Sequence, residues 1–476
     1  MKKEQLFKSI ADIREEDVKK ARQYRAKRKT VWIRWAAAAV CAVIAVTAIA
    51  SIPLLKKGDT DLLSSLTVMA AEYPKPTAAN LSAQEFMEGD ARWSWWESYR
   101  QLADESEKLQ EGMNGYYAKV MEKLLVAGDD NTVCSPLNTY ITFAMLAEVS
   151  EGNTRQQILD VLQVPDIETL RTSIRTIWEG NYVDTPVLKS LLANSLWLKE
   201  GYTYKHETMS RLAETYYASS YSGDPGSEEM GQALREWIDK NTGGLLSEQV
   251  KDMKLNPDTV LALVSTIYYK AMWGDEFNRQ MTNQETFHGT LGDTTVDMMH
   301  KTDMMRVFSK EHFTALGLDL RDSGTMFFYL PNDGVDVNTL ASDPEVTAVI
   351  RGDEDEDWYA PEVHLSVPKF QVSCKTDLLT ALEELGITDA LDPALSDFTP
   401  LTEDREDLFL SKAEHTAMVE IDENGVTGAA YTKLEISEGA AKPDDEIDFV
   451  LNRPFLFVIT GSDGSILFSG IIRNID

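Results

Sequence analysis

The sequence predicts an α+β protein with large β-sheets, and three observations support this prediction. Helical and strand patterns mix along the chain without the regular alternation of a βαβ protein. Residues 260–269 form an almost continuous apolar run, which is typical of a strand buried on both faces. Near the C-terminus, apolar runs at 455–460 and 465–472 flank a glycine-bounded turn and predict a hairpin.

The individual elements follow from the spacing of apolar residues. Helices are expected at 116–125, after Pro136 and at 376–385. Strands are expected at 260–269, 326–330 and 363–367. At Pro368 the apolar residues change from odd to even positions, which predicts a β-bulge at that point.

The N-terminal part contains an apolar run without charges, and basic residues precede it. The run is long enough for the roughly 20 residues that a membrane-spanning helix needs. We therefore expect a cytoplasmic basic segment at 1–30, a transmembrane signal anchor at 31–55 and the rest of the chain outside the cell. A second interpretation stays open, because a cleavage site near Ala50 would release a secreted protein.

Residues 56–105 are predicted to be a linker, since they are rich in small polar residues and proline. The aromatic patch Trp93–Trp96 within this stretch is expected to pack on the following domain. Beyond residue 105 there is no further change of composition, so 106–476 is read as one domain. With 43% hydrophobic residues, the chain as a whole can bury a sizeable core.

Charge and motif content exclude several functions. The net charge is −32, and such an acidic chain repels nucleic acid. Three cysteines give neither a disulfide framework nor a paired-cysteine metal site. No G-x-S-x-G or HExxH motif is present, so we expect that the protein is not an enzyme and has no cofactor and no metal site. We also expect a monomer.

The segment from Gly425 to Leu451 is unusual, because it has no turn signal and is longer than most loops. Small or apolar residues alternate there with mostly polar ones. The small or apolar set is Val426, Gly428, Ala430, Thr432, Leu434 and Ile436. This period of two predicts a segment that can be either an exposed loop or a half-buried strand. Its insertion into a sheet would add hydrogen bonds worth on the order of ten kcal/mol, whereas the alternative is an ordinary long edge strand.

Eight short motifs, in order from residue 106 to the C-terminus, resemble the serpin family. They lie at 131–137, 151–154, 192–197, 264–274, 363–370, 385–389, 415–425 and 452–455. The resemblance implies the serpin fold, with a large central sheet, two smaller sheets, about eight or nine helices and an exposed reactive-centre loop at 423–450. It also implies an irreversible inhibitor of serine proteases, and by extension of cysteine proteases, that inserts its cleaved loop into the main sheet.

The resemblance also suggests roles for particular residues. The hinge of the loop would consist of Glu423, Asn424, Gly425, Val426, Thr427, Gly428, Ala429 and Ala430. Residues that control opening of the main sheet would be Ser135, Asn138, Asn194, Trp273 and His415. Val426, Thr427 and Tyr431 depart from the usual family residues. Because Tyr431 belongs to the outward set, we still expect the loop to insert.

The resemblance places the reactive bond at Gly439–Ala440 and favours an elastase-like or subtilisin-like target. Cleavage after Glu438 would instead suit a glutamate-specific protease, and cleavage after Lys433 or Lys442 a trypsin-like one. The alternative function is a non-inhibitory serpin that acts as an extracellular binding or chaperone module.

Overall fold

The computed structural model describes residues 62–126, 128–352, 358–404, 408–426 and 445–475. The predicted segments 1–30 and 31–55 lie outside these ranges. Among the described residues, no helix combines the length and the apolar character that crossing a membrane requires. This finding contradicts the predicted membrane-anchored localisation, whereas the alternative cleavage near Ala50 falls outside the described residues. The long helix Asp90–Leu125 has the length to cross a bilayer but carries charged residues along its course.

Within the described part of the chain, eleven α-helices are formed. They are α1 Leu62–Leu66, α2 Ala83–Glu88, α3 Asp90–Leu125, α4 Pro136–Glu148, α5 Gly152–Leu162, α6 Ile167–Asn181, α7 His206–Thr215, α8 Glu228–Asn241, α9 Ser247–Val250, α10 Pro344–Arg351 and α11 Leu379–Leu385. About eight or nine were expected. The additional ones include α1 and α9, which are too short to show a helical period in the sequence.

The strands form an eight-stranded, a seven-stranded and a four-stranded sheet. In chain order they are β1 Thr67–Met69, β2 Thr132–Cys134, β3 Val183–Asp184, β4 Lys189–Lys199, β5 Ala218–Gly223, β6 Leu261–Met272, β7 Asn283–Gly289, β8 Gly292–Met304, β9 Val307–Ser309, β10 Phe313–Asp319, β11 Thr325–Pro331, β12 Trp358–Tyr359, β13 Glu362–Pro368, β14 Phe370–Asp377, β15 Glu414–Asp422, β16 Gly425–Val426, β17 Glu446–Val450, β18 Phe455–Thr460 and β19 Ile466–Ile472. The predicted α+β class with one large and two smaller sheets is confirmed.

The eight-stranded main sheet has the order β1-β5-β4-β6-β16-β15-β14, with β3 paired to β4. The seven-stranded sheet has the order β12-β9-β10-β11-β18-β19-β2, and the four-stranded sheet has the order β17-β13-β8-β7. Helix α4 contacts β6 of the main sheet and β19 of the seven-stranded sheet. Nearly all of its residues are buried, as expected of a helix that is apolar all round. Its N-cap, Ser135, is thereby brought underneath the main sheet.

The stretch predicted as a linker differs from an extended tether over its described residues. Helix α3 begins at Asp90, well before the predicted helix at 116–125. The strand β1 pairs with β5 at the outer edge of the main sheet. Trp95 stacks on Tyr99 with ring centroids 5.1 Å apart. The charged, exposed face of α3 conceals its helical period in the sequence, which explains the late predicted start.

Pro368 is not a β-bulge, which corrects the prediction made from the change of parity. Strand β13 ends at Pro368 in the four-stranded sheet, whereas β14 begins at Phe370 in the main sheet. The parity of the apolar residues changes because the chain leaves one sheet for another. A sequence pattern cannot distinguish this transfer from an irregularity within one strand.

Candidate functional site

The candidate site is a gap in the main sheet between β6 and β15. The two-residue strand β16 lies between them and pairs antiparallel with both, so β6 and β15 run parallel to each other. Beyond β16, no ladder pairing joins β6 to β15 among the described residues. A cleft runs along the gap between β6 and β15, beneath α8. It is lined by Leu234, Ile238, Leu246, Val264, Thr266, Ala413 and Thr416, among others.

The predicted hinge residues Gly425 and Val426 enter this gap at the C-terminal ends of β6 and β15, which are called its upper end. Gly425 lies opposite Met272 of β6 and Asp422 of β15. A Cβ atom on Gly425 would lie 2.1 Å from the carbonyl oxygen of Ala271, so only glycine fits against β6 here. Val426 follows with its side chain buried at 1% exposure.

Glu423 anchors the turn that precedes the hinge. Its carboxylate accepts a hydrogen bond from the Thr282 hydroxyl at 2.9 Å and lies 3.3 Å from the Lys369 ammonium. Burial opposes ionisation of this carboxyl, but hydrogen bonds from its own backbone N–H and from Thr282, together with Lys369, outweigh burial and lower the pKa of Glu423. The ionised side chain therefore ties the turn to the rest of the protein. Asn424 is held in the same turn, where its backbone N–H donates to Asp422 at 2.8 Å.

Trp273 closes the upper end of the gap. Its indole Nε1–H donates to the Asp422 carbonyl at 2.8 Å, and its backbone N–H donates to the Asn424 carbonyl at 3.0 Å. The ring is almost fully buried and packs edge-on against Phe277. A single side chain at the end of β6 thus contacts the turn from which the loop departs.

His415 of β15 lies lower in the sheet, above the N-cap of α4. Its Nε2 accepts a hydrogen bond from the Ser135 backbone N–H at 2.9 Å. The ring is buried at 5% exposure, and burial lowers the pKa of His415 to about 4. The neutral ring therefore carries its proton on Nδ1 and acts as a hydrogen-bond acceptor, which is a structural role.

On the β6 side of the gap, Ser265 lies at the centre of a second polar group. Its hydroxyl donates to Asn194 Oδ1 at 2.6 Å and also contacts Asn138 Oδ1. Asn138 Nδ2 donates in turn to the Ser265 carbonyl at 2.9 Å. Asn194 Nδ2 donates to the Tyr216 carbonyl at 2.7 Å, and its backbone N–H donates to the Tyr73 hydroxyl at 3.3 Å.

Sequence reasoning placed four of these polar residues together but missed Ser265 and Tyr73. Ser265 interrupts the apolar run of β6, and that interruption is the signal that could have revealed it. Tyr73 gives no such signal, since it lies in the stretch read as a linker. Several predicted loop residues lie outside the described residues, namely Thr427, Gly428, Ala429, Ala430, Lys433, Glu438, Gly439, Ala440 and Lys442.

Comparison with known proteins gives a consistent result. A family model described as serpin, serine protease inhibitor, matches residues 113–475. A serpin-like protein of Thermococcus kodakarensis is 27% identical over 370 residues, which cover 74% of this chain and 82% of that relative. Alpha-1-antiproteinase 2 of Equus caballus is 29% identical, covering 69% of this chain and 77% of that protein.

Solved structures share the fold at low sequence identity. The native state of tengpin, a thermophilic serpin, gives a TM-score of 0.69 at 21% identity, covering 76% of this chain and 93% of that one. Human thyroxine-binding globulin complexed with thyroxine gives a TM-score of 0.68 at 22% identity, covering 79% of this chain and 99% of that one. At such identities the likeness concerns the fold alone.

Proposed function

The chain belongs to the serpin family, and we propose that it is an irreversible inhibitor of serine proteases that inserts its cleaved reactive-centre loop into the gap between β6 and β15. The observation that carries the proposal is β16. Two residues of the hinge already lie in register between the two strands, and the space beyond them has no ladder partner among the described residues. The name antiproteinase of the horse relative agrees with an inhibitory role.

The register of β16 predicts where each loop residue would lie after insertion. Gly425 faces Met272 and Val426 faces Ala271. Continued in the same antiparallel register, the loop would run along β6 until Ile436 lies opposite Leu261, the first residue of that strand. Val426 points into the protein, so the alternate residues down to Ile436 would point inward as well.

This inward set consists of the small or apolar residues of the loop. Val426, Gly428, Ala430, Thr432, Leu434 and Ile436 carry no charge and include no proline. By the same register, Thr432 would lie opposite Ser265 on one side and His415 on the other. A hydroxyl is well suited to that position, because it can both donate and accept a hydrogen bond between two polar groups.

The proposed reaction begins when the nucleophile of a target protease attacks the carbonyl of Gly439. The peptide bond to Ala440 breaks, the new amine of Ala440 leaves with a proton, and Gly439 stays bound to the protease as an ester. The strand 425–439 would then insert and carry the protease along. At about 3.3 Å per residue, the fourteen steps from Gly425 to Gly439 span roughly 45 Å.

The test is incubation of the purified protein with elastase, subtilisin, trypsin and a glutamate-specific protease, followed by denaturing gels. We expect a band at the summed mass with elastase or subtilisin, and mass spectrometry should place the new terminus at Gly439. Cleavage only after Lys433 or Lys442 would contradict the proposed bond. Cleavage by every protease without any covalent complex would contradict inhibition and favour a non-inhibitory binding module.

A further inference from the structure

A cluster of side chains able to bind a metal ion lies on β13 and β17 of the four-stranded sheet, and β17 forms the C-terminal end of the predicted reactive-centre loop. Strand β17 pairs in parallel with β13, which places Glu446 directly opposite Glu362. His364 lies two residues beyond Glu362 on β13, so its side chain shares the same face of the sheet. Two strands thus bring two carboxylates and one imidazole together.

The distances suit a common ligand. The three ligand atoms of Glu362, His364 and Glu446 all lie within 4.8 Å of one another. The Nε2 atom of His364 is 3.8 Å from Oε2 of Glu446. A zinc ion binds such atoms at about 2.0–2.2 Å in tetrahedral geometry, which places neighbouring ligand atoms roughly 3.4 Å apart. Small rotations of the glutamate side chains would bring the cluster to that spacing.

The histidine is oriented by a residue outside the cluster. Its Nδ1 is 3.1 Å from the hydroxyl of Thr302, which lies opposite His364 on β8. Metal-bound histidines usually have their second ring nitrogen held in this way by a neighbouring group. Thr302 therefore leaves Nε2, the nitrogen nearer to Glu446, as the ligand atom.

The charge arrangement also favours a cation. Glu362 and Glu446 place two carboxylates directly opposite each other on neighbouring strands. In the register, Asp448 follows opposite His364 and adds a further acidic residue to this face. A divalent cation between β13 and β17 would be attracted by these acidic side chains.

We propose that Glu362, His364 and Glu446 form a binding site for a divalent transition-metal ion of the zinc class. An imidazole with two carboxylates suits Zn²⁺ better than Ca²⁺ or Mg²⁺, which prefer oxygen ligands alone. Strand β17 is the edge strand of its sheet and pairs only with β13 among the described residues. The ion would therefore fasten the C-terminal end of the reactive-centre loop to the body of the protein.

Isothermal titration calorimetry with zinc sulfate at pH 7.5 tests the site in the full-length protein without a histidine tag. We expect one Zn²⁺ per chain. Both His364→Ala and Glu446→Gln should weaken binding by more than the ~10–100-fold typical of losing an outer-shell partner, whereas Thr302→Val should weaken it within that range. Hydrogen exchange of the backbone amides at 446–450 should slow when zinc is added to the wild type.

His288→Ala is the matched control, because His288 lies 2.8 Å from Asp293 on the same sheet but belongs to no three-ligand cluster among the described residues. It should bind zinc as the wild type does. Absence of wild-type binding, equal binding by His364→Ala, or equally tight binding of Ca²⁺ would overturn the proposal. None of these measurements involves a protease, so their outcome is independent of inhibition.

Discussion

At the scale of single residues, the neighbours Thr432 and Tyr431 are expected to face opposite sides of the main sheet after insertion. In the proposed insertion, the register of β16 would place Thr432 opposite Ser265 and His415, and Tyr431 on the outer face. Thr432→Arg should therefore abolish covalent complex formation and convert the protein into a substrate, because a charge would be buried without a partner. Densitometry of denaturing gels measures the fraction of complex.

Tyr431→Arg serves as the matched control for this change. It introduces the same side chain one position away, on the face that stays in solvent, and should retain most of the complex. Equal complex formation by both variants would show that the proposed register is incorrect.

His415 predicts a pH dependence of stability. Burial lowers its pKa to about 4 in the folded protein, whereas an exposed histidine has a pKa of about 6.5. Between these values the unfolded chain binds a proton that the folded chain does not bind. The contribution of His415 to the free energy of unfolding is therefore fully present above pH ~6.5. It is lost as the pH falls towards 4, by about 3 kcal/mol in total.

Urea-induced unfolding at pH 7.5 and at pH 4.5 measures this effect. His415→Gln removes the titrating group, so the variant should lose less stability than the wild type on acidification. The exposed His206 provides the control, and His206→Gln should follow the wild-type pH dependence. An identical pH dependence of the His415 variant and the wild type would refute the assignment.

At the scale of elements, Phe86 is the one buried residue of the short helix α2. Phe86 is fully buried and packs in a cluster with Val187 and Met272, the last residue of β6. Phe86→Ala should lower the free energy of unfolding by about 3–5 kcal/mol, because a large buried ring leaves a cavity. Trp93 on α3 is 66% exposed, so Trp93→Ala should cost less than about 1 kcal/mol.

Chemical denaturation of the two variants provides the comparison. Similar losses for Phe86→Ala and Trp93→Ala would mean that the segment before residue 106 does not pack as described. A loss confined to Phe86→Ala would show that this segment is part of the folded domain, rather than a linker to it.

At the scale of the whole molecule, insertion of the loop predicts a gain of stability after cleavage. Completing the strand along β6 would add roughly ten backbone hydrogen bonds at about 1 kcal/mol each. The protein cleaved in its loop should therefore unfold at a midpoint raised by roughly 10–15 °C. Circular dichroism during heating of intact and cleaved protein measures this difference.

The Thr432→Arg variant distinguishes insertion from other effects of cleavage. After the same cut it should show no comparable rise, because the arginine prevents completion of the strand. If the wild type also shows no rise, the loop does not insert, and a non-inhibitory role becomes the better hypothesis.

Local patterns in the sequence were sufficient to predict much of the secondary structure. The α+β class, the C-terminal hairpin and the strands at 326–330 and 363–367 follow from alternation and apolar runs, which are properties of neighbouring residues. Family motifs identified Trp273 and the polar residues Ser135, Asn138, Asn194 and His415. The alternation from Val426 to Ile436 predicts that the loop can become a strand, and this stays a prediction because 427–436 lie outside the described residues.

Only the tertiary structure decided which strands adjoin and in which register. The gap between β6 and β15, the transfer between sheets at Pro368 and the meeting of Glu362 with Glu446 depend on pairing between distant segments. Ser265 and Tyr73 join the polar group for the same reason. An alternation with a period of two residues indicates that a segment can form a strand. The hydrogen-bond partners of that strand lie far along the chain, so its position is determined only when the sheets assemble.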